Sequence, residues 1–245
     1  MFIRRLRLAT GLVLVTYVVL HLLNLAVGLF SIEAMEVYRK VTTKVWYNPV
    51  GGALLGLSFL VHYLLAHWSL YQRNNLRLKP WEALQLGLGL LVLPLAAAHI
   101  IGTRIRAEMF HIDVTYPQVI SIYWLDPWSA LRQVLLVLVV WIHLAIGLHY
   151  WLRLKAWYAS AVPYLYLGAA LLPVVALLSF WRVGLEIAPE IATPAGVDRM
   201  FAPFKSDDSN LVAVFDSIEP ISLSMPSTLA GTIVIASIAT WRGTP

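Results

Sequence analysis

The sequence contains no cysteine in 245 residues, and only 13% of its residues are charged, about half the ~25% usual in soluble domains. The first absence excludes disulfide scaffolds, thiolate zinc sites, cysteine-ligated iron–sulfur clusters and thioether-attached c-type haem. The second, with 60% apolar residues and a mean hydropathy of +0.74, excludes a soluble enzyme, because a globule of this size must cover its surface with solvated groups. The solvent for most of this chain is lipid. Also missing is any recognisable nucleophile, acid/base pair, phosphate loop or paired metal-binding aspartates, so no catalytic residue is assigned.

What is present is a set of uncharged stretches. A helix needs roughly 20 apolar residues to cross about 30 Å of hydrocarbon, and six stretches qualify: Leu8–Phe30, Pro49–Gln72, Ala83–Thr103, Gln133–Leu152, Ala156–Trp181 and Pro220–Trp241. The first follows Arg4, Arg5 and Arg7 as a secretory signal would, but it is longer than the about 7–15 apolar residues of such a signal, and a retained helix is expected. The fold class is therefore all-α, with six transmembrane helices.

Lys and Arg in short loops stay on the cytoplasmic side. Placing both termini inside assigns residues 1–7, 73–82, 153–155 and 242–245 to the cytoplasm, with nine basic residues and one acid, Glu82. The formal charge of +5 thus divides into +8 inside and −3 outside. The sequence pI near 9.5 reports topology and needs no nucleic-acid partner. Outer loops of roughly 18, 29 and 38 residues have room for short interfacial helices, and most tryptophans sit near the predicted interfaces as an aromatic belt.

Six of the seven histidines fall inside spans: His21 in the first, His62 and His67 in the second, His99 in the third, His143 and His149 in the fourth. His111 lies in an outer loop and reads as solvated. An ionisable residue inside a membrane helix is a functional hypothesis by default, and hydrogen-bonding needs do not explain confinement to four consecutive helices. At about 1.5 Å per residue, His21 and His99 fall in the outer half, His62 and His143 both at about 15 Å from the inner edge, and His67 and His149 at about 6–8 Å. The first two pairings join diagonal helices of a sequential four-helix bundle, the arrangement in which two axial imidazoles hold a metalloporphyrin suited to electron transfer.

His67 and His149 compete for the inner site. They lie about 140° and about 120° around their helices from His62 and His143, so one porphyrin cannot use all four. Ala66 and Gly147, each one turn beyond His62 and His143, favour that pair because a porphyrin must approach the backbone there. The alternatives His67 and His149 stay open. Arg104, Arg73 and Arg153 follow the histidine-bearing helices and are candidate partners for cofactor propionates, a role that competes with ordinary interfacial anchoring. A proton-relaying transporter is disfavoured, since the spans hold no acids and the histidines match by depth. The loop from Thr103 to Leu131, with Tyr116, Tyr123, Trp124 and Asp126, is a candidate quinone region.

Histidines on four successive helices, with the run from His143 through Gly147 to His149, resemble the dihaem cytochrome b anchors of succinate dehydrogenases and fumarate reductases. The segments VHYLLAHWSLYQRNNLRLKPWEALQLGLGLLVLPLAAAHIIGTR and DPWSALRQVLLVLVVWIHLAIGLHYWLRLKAWY resemble more specifically the six-helix anchor of redox-regulated bacterial class III adenylate cyclases. The resemblance covers roughly residues 8–185. It implies two haem b groups, with His21, His62, His99 and His143 on the ligand helices and His149 as a recurrent second histidine; His67 departs from the pattern. It also implies membrane quinone as redox partner, a bacterial cytoplasmic membrane and a homodimer.

The resulting expectation is a four-helix dihaem core in residues 1–155, followed by helices five and six in residues 156–245. Those two helices lead to a cytoplasmic cyclase domain beyond Pro245 that makes cyclic AMP from ATP. The competing expectation is an electron-transferring anchor subunit that docks flavin and iron–sulfur partners.

Overall fold

The computed structural model describes residues 2–204 apart from Leu76; the sixth predicted span, Pro220–Trp241, lies outside them. The described residues form helices and turns only. Hydrocarbon offers backbone groups no partner, and a helix satisfies its own. Nine α-helices run in order: α1 Phe2–Val27, α2 Ile32–Trp46, α3 Pro49–Tyr71, α4 Pro80–Ile100, α5 Arg106–Phe110, α6 Tyr116–Leu125, α7 Pro127–Leu152, α8 Tyr158–Ile187 and α9 Pro194–Phe201. Among the described residues, five helical stretches are long and apolar enough to cross a membrane: α1, α3, α4 continued through α5 to Phe110, α7 and α8. They match the first five predicted spans. The short helices α2, α6 and α9 fall in the three predicted outer loops.

The helices run past the apolar windows that reveal them. α1 already begins at Phe2, α7 at Pro127, and α8 ends at Ile187 with Arg182 inside it. Local chemistry sets these ends. Proline opens α3, α7 and α9 at the first helical position, where a missing N–H leaves nothing unpaired. Asn48 sits between two helices: its amide group donates to the carbonyls of Lys44 and Val45, both at 2.8 Å, and its oxygen accepts from the N–H groups of Val50 and Gly51. It thus closes α2 and opens α3 with one side chain. A Cβ on Gly51 would collide with the Val45 carbonyl, so the reversal requires glycine there.

The chain divides into two compact units. Among the described residues, one comprises 2–89 and 140–183, the other 90–139 and 184–204. In the first unit α1 packs on α3 and α2. The end of α1 is finished by α8: the Ser179 hydroxyl donates to the Leu25 carbonyl, and the Arg182 guanidinium donates to the Gly28 carbonyl at 2.7 Å. A cation is favourable at the negative end of a helix, which accounts for an arginine inside α8.

In the second unit, residues Ile101–Ile105 form a π-helical turn that links α4 to α5. Such turns insert a residue and leave the regular ladder, and the Thr103 hydroxyl donates to the His99 carbonyl at 2.6 Å. Trp124 of α6 lies over Gly184, where any Cβ would meet its indole ring.

Candidate metal-ligating site

Within the first unit, α3 and α7 bring His62 and His143 together, with ring centroids 6.4 Å apart and planes at 88°. Each stands nine residues before its helix ends. Two imidazoles bound from opposite sides to one metal ion, at about 2.0–2.1 Å each, place their ring centres roughly 6.3 Å apart. The observed centroid separation matches that distance.

Hydrogen bonding prepares both rings for that role. His62 Nδ1 lies 3.1 Å from the Arg7 carbonyl of α1, and His143 Nδ1 lies 3.0 Å from the Gln85 carbonyl of α4. A carbonyl oxygen only accepts, so each Nδ1 carries the proton and, in the neutral ring, each Nε2 presents its lone pair. A second partner that fixes ring orientation and tautomer accompanies nearly every metal-bound histidine. The backbone makes room on neighbouring helices. A Cβ on Gly11 of α1 would come within 3.0 Å of His62 Cε1, and one on Gly89 of α4 within 2.7 Å of His143 Cε1.

The two alternative histidines are held differently. His67 Nδ1 donates to the Tyr63 carbonyl of its own helix at 2.9 Å, its ring lies 4.4 Å from the Tyr63 ring, and its buried Nε2 has no hydrogen-bond partner among the described residues. His149 Nδ1 pairs with the Tyr158 hydroxyl at 2.7 Å. A hydroxyl can donate or accept, so this partner does not fix the tautomer.

His21, in the first unit, stacks on Tyr17 at 5.7 Å, and Tyr17 meets Trp46 edge-on. His99, in the second unit, is held through Tyr123. The Tyr123 hydroxyl donates to Gln133 Oε1 at 3.1 Å and lies 3.2 Å from His99 Nδ1. Burial pushes the Tyr123 phenol up, so it keeps its proton. Its single hydrogen goes to Gln133, which leaves His99 Nδ1 to donate and Nε2 to present a lone pair. Tyr123, in the candidate quinone loop, thus sets its hydroxyl against His99.

The three arginines have protein partners. Arg73 pairs with Glu82 at 3.4 Å, Arg104 with Glu108 at 2.9 Å, and the Arg153 guanidinium sits 4.9 Å above the Tyr150 ring. His111 ends α5 in the left-handed region, with φ 52° and ψ 40°.

Sequence reasoning overlooked the residues that surround the inner pair. A Cβ on Gly147 would approach the Gln85 amide nitrogen at 3.2 Å. The glycines that face the imidazoles are Gly11 and Gly89, on other helices. A usable signal existed, since glycine in a helix interior is destabilising by roughly 0.5–1 kcal/mol against alanine and so marks a close approach.

Among the described residues, no three His, Cys, Asp or Glu side chains cluster as a metal site. In comparisons with known protein families, curated proteins and solved structures, the chain matches none at significance.

Proposed function

We propose that this chain is a dihaem b-type membrane cytochrome that responds to quinone and regulates a cytoplasmic class III adenylate cyclase. The supporting observation is the His62–His143 pair: two rings with centroids 6.4 Å apart, each with Nδ1 committed to a carbonyl of a third or fourth helix. When bound, a bis-histidine haem supplies one-electron transfer without an open iron position. The residues of this chain supply the rest. Arg7 and Gln85 carbonyls orient the two imidazoles and raise their basicity, and Gly11 and Gly89 allow α1 and α4 to close against them. His21 and His99 enter as the further ligand candidates by the resemblance. The cyclase and the quinone enter by the resemblance as well.

For transmission, the effector-coupled conformations must differ in free energy with haem oxidation state. The test is spectroscopic. The purified chain should show reduced-minus-oxidised b-type bands and bind two haems per chain. His62→Ala and His143→Ala should each lose one haem, whereas His67→Ala should keep both. A preparation without haem sinks the reading, and a haem lost in His67→Ala but retained in His62→Ala transfers the inner site to His67. A reading frame that continues into a cyclase supports the sensor; adjacent genes for flavin and iron–sulfur subunits point to an electron-transfer anchor instead.

A further inference from the structure

The inner histidine pair is built from one local unit used twice. On α1, the Arg7 carbonyl accepts from His62 Nδ1 at 3.1 Å, and four residues later a Cβ on Gly11 would come within 3.0 Å of the His62 ring. On α4, the Gln85 carbonyl accepts from His143 Nδ1 at 3.0 Å, and four residues later a Cβ on Gly89 would come within 2.7 Å of the His143 ring. In each helix one position supplies an acceptor, and the position one turn further on the same face supplies space. All of these residues lie in the first unit. Arg7 and Gln85 hold the rings through their main chains, so their side chains are left for another role.

Both side chains sit toward the ends of α3 and α7. Arg7 Nη1 donates to Ser69 Oγ at 2.7 Å, and that hydroxyl gives its own hydrogen to the Leu65 carbonyl at 2.8 Å. Ser69 follows His62 by seven residues, two turns along the same face of α3 and roughly 10 Å nearer its end. Arg7 therefore reaches from the level of the His62 imidazole to the level of Ser69. On α7, Gly147 stands one turn beyond His143, and a Cβ there would lie 3.2 Å from the Gln85 amide nitrogen. Gln85 Oε1 is buried with no hydrogen-bond partner among the described residues.

The two groups ask for the same kind of partner. Arg73 pairs with Glu82 and Arg104 with Glu108, but among the described residues no carboxylate comes within ion-pair distance of Arg7. A guanidinium on a membrane-spanning helix normally pairs, and Ser69 takes only one of its N–H donors. The Gln85 amide can give to a carboxylate or accept from a protonated one. A carboxyl group satisfies both positions, and a macrocycle between His62 and His143 would carry its carboxyl groups along one edge.

We infer that Arg7 and Gln85 receive the two carboxyl groups of the macrocycle held by His62 and His143, Arg7 taking an ionised one, so that the acid-bearing edge faces the ends of α3 and α7. This rests on the cytochrome reading above and adds the orientation of the inner cofactor; Arg7 replaces Arg73, Arg104 and Arg153 in that role at this pair.

The test compares iron protoporphyrin IX with its dimethyl ester, which keeps the metal and the ring and loses both acids. Chain produced with limiting haem and purified in detergent is titrated with each and followed at the Soret band, the inner component being the one absent from His62→Ala. The ratio of the two affinities is the readout, because Arg7 and Gln85 also hold the imidazoles through their carbonyls. The wild type should prefer the free acid by about tenfold or more, the range for hydrogen bonds to a charged group. Arg7→Gln should cut that preference at least about fivefold and Arg7→Lys should keep most of it, while Gln85→Leu should cut it about two- to fivefold. Equal binding of acid and ester by the wild type, as when water or a lipid phosphate serves Arg7, overturns the inference and leaves the cytochrome reading standing. So does a preference that survives Arg7→Gln undiminished. If Arg7→Gln binds neither compound, Gln85→Leu and Ser69→Ala decide, and an undiminished preference in both overturns the inference. A wild-type chain that binds neither compound removes the cytochrome reading and this inference with it.

Discussion

The Trp141 indole N–H of α7 donates to the Ala169 carbonyl of α8 at 2.6 Å, and that carbonyl is the one Pro173 leaves without a helical partner. Residue 173 would otherwise donate its N–H to residue 169, but proline has none. An unpaired carbonyl in lipid has no water to turn to. Trp141 therefore stitches α7 to α8 at a place set by a proline four residues away.

Trp141→Phe should destabilise the chain by about 1–3 kcal/mol, the range for a buried polar group left unsatisfied. Pro173→Ala restores the helical N–H, so the tryptophan substitution should lose most of its effect in the double variant. Thermal unfolding of the four proteins in one detergent measures this coupling. Equal effects of Trp141→Phe in both backgrounds contradict the account.

Asn48 offers a separation of donor from acceptor. Asn48→Asp keeps the oxygen that caps α3 but replaces donors with a second acceptor against the Lys44 and Val45 carbonyls. Asn and Asp are near-equal as simple N-caps, so a one-sided cap predicts no change. The two-sided arrangement predicts a loss of about 1 kcal/mol or more, read as a lower unfolding midpoint.

Much of this architecture was legible in the sequence, and the part that was not has a common cause. Spans follow from composition and the loop lengths left room for short helices, while the caps that set their ends, such as Ser31 before α2 and Asn48 before α3, act within a few residues. The depth match of His62 with His143 needed only a rise per residue. Gln85, Gly11 and Gly89 were missed because their roles depend on which faces of different helices meet, and in lipid the apolar pattern is nearly uniform around each helix. Trp141 was missed for the same reason, although Pro173 announces an orphaned carbonyl to any reader who asks which residue fills it.

Asp126 precedes α7 and accepts from the backbone N–H groups of Trp128 and Ser129 at 3.1 and 3.2 Å. The Ser129 hydroxyl first, with these amides and Arg132, holds its carboxyl below the usual range, against an opposing effect of burial that outranks each of the amides. A depressed folded-state value means the ionised form stabilises the fold. That contribution is complete above the unfolded-state value near about 3.9 and disappears as pH falls through the folded value. Asp126→Ala should lower the midpoint at neutral pH and remove part of the acid-side decline. An unchanged decline between about pH 5 and 3 would count against the cap.

His111 ends α5 with a positive φ, a conformation that costs a side-chain-bearing residue roughly 1–2 kcal/mol and glycine almost nothing. His111→Gly should therefore hold or raise stability, and His111→Val, with a branched Cβ, should lower it. If the imidazole instead holds the turn through its own contacts, glycine will destabilise as much as valine does.

Gly87 and Gly89 stand two residues apart in α4 and allow the proximity argument to be isolated. A Cβ on Gly87 meets nothing within 4 Å, whereas one on Gly89 comes within 2.7 Å of His143 Cε1. Gly87→Ala gains helix propensity of about 0.5–1 kcal/mol with no new contact, so its midpoint should rise. Gly89→Ala gains the same propensity but must displace the imidazole or part α4 from α7, so its midpoint should fall. On the proposed dihaem reading, the same substitution should shift or remove one b-type signal while Gly87→Ala leaves both. Parallel behaviour of the two variants would mean that Gly89 does not define the position of His143, and the inner pair would then lose its support from α4.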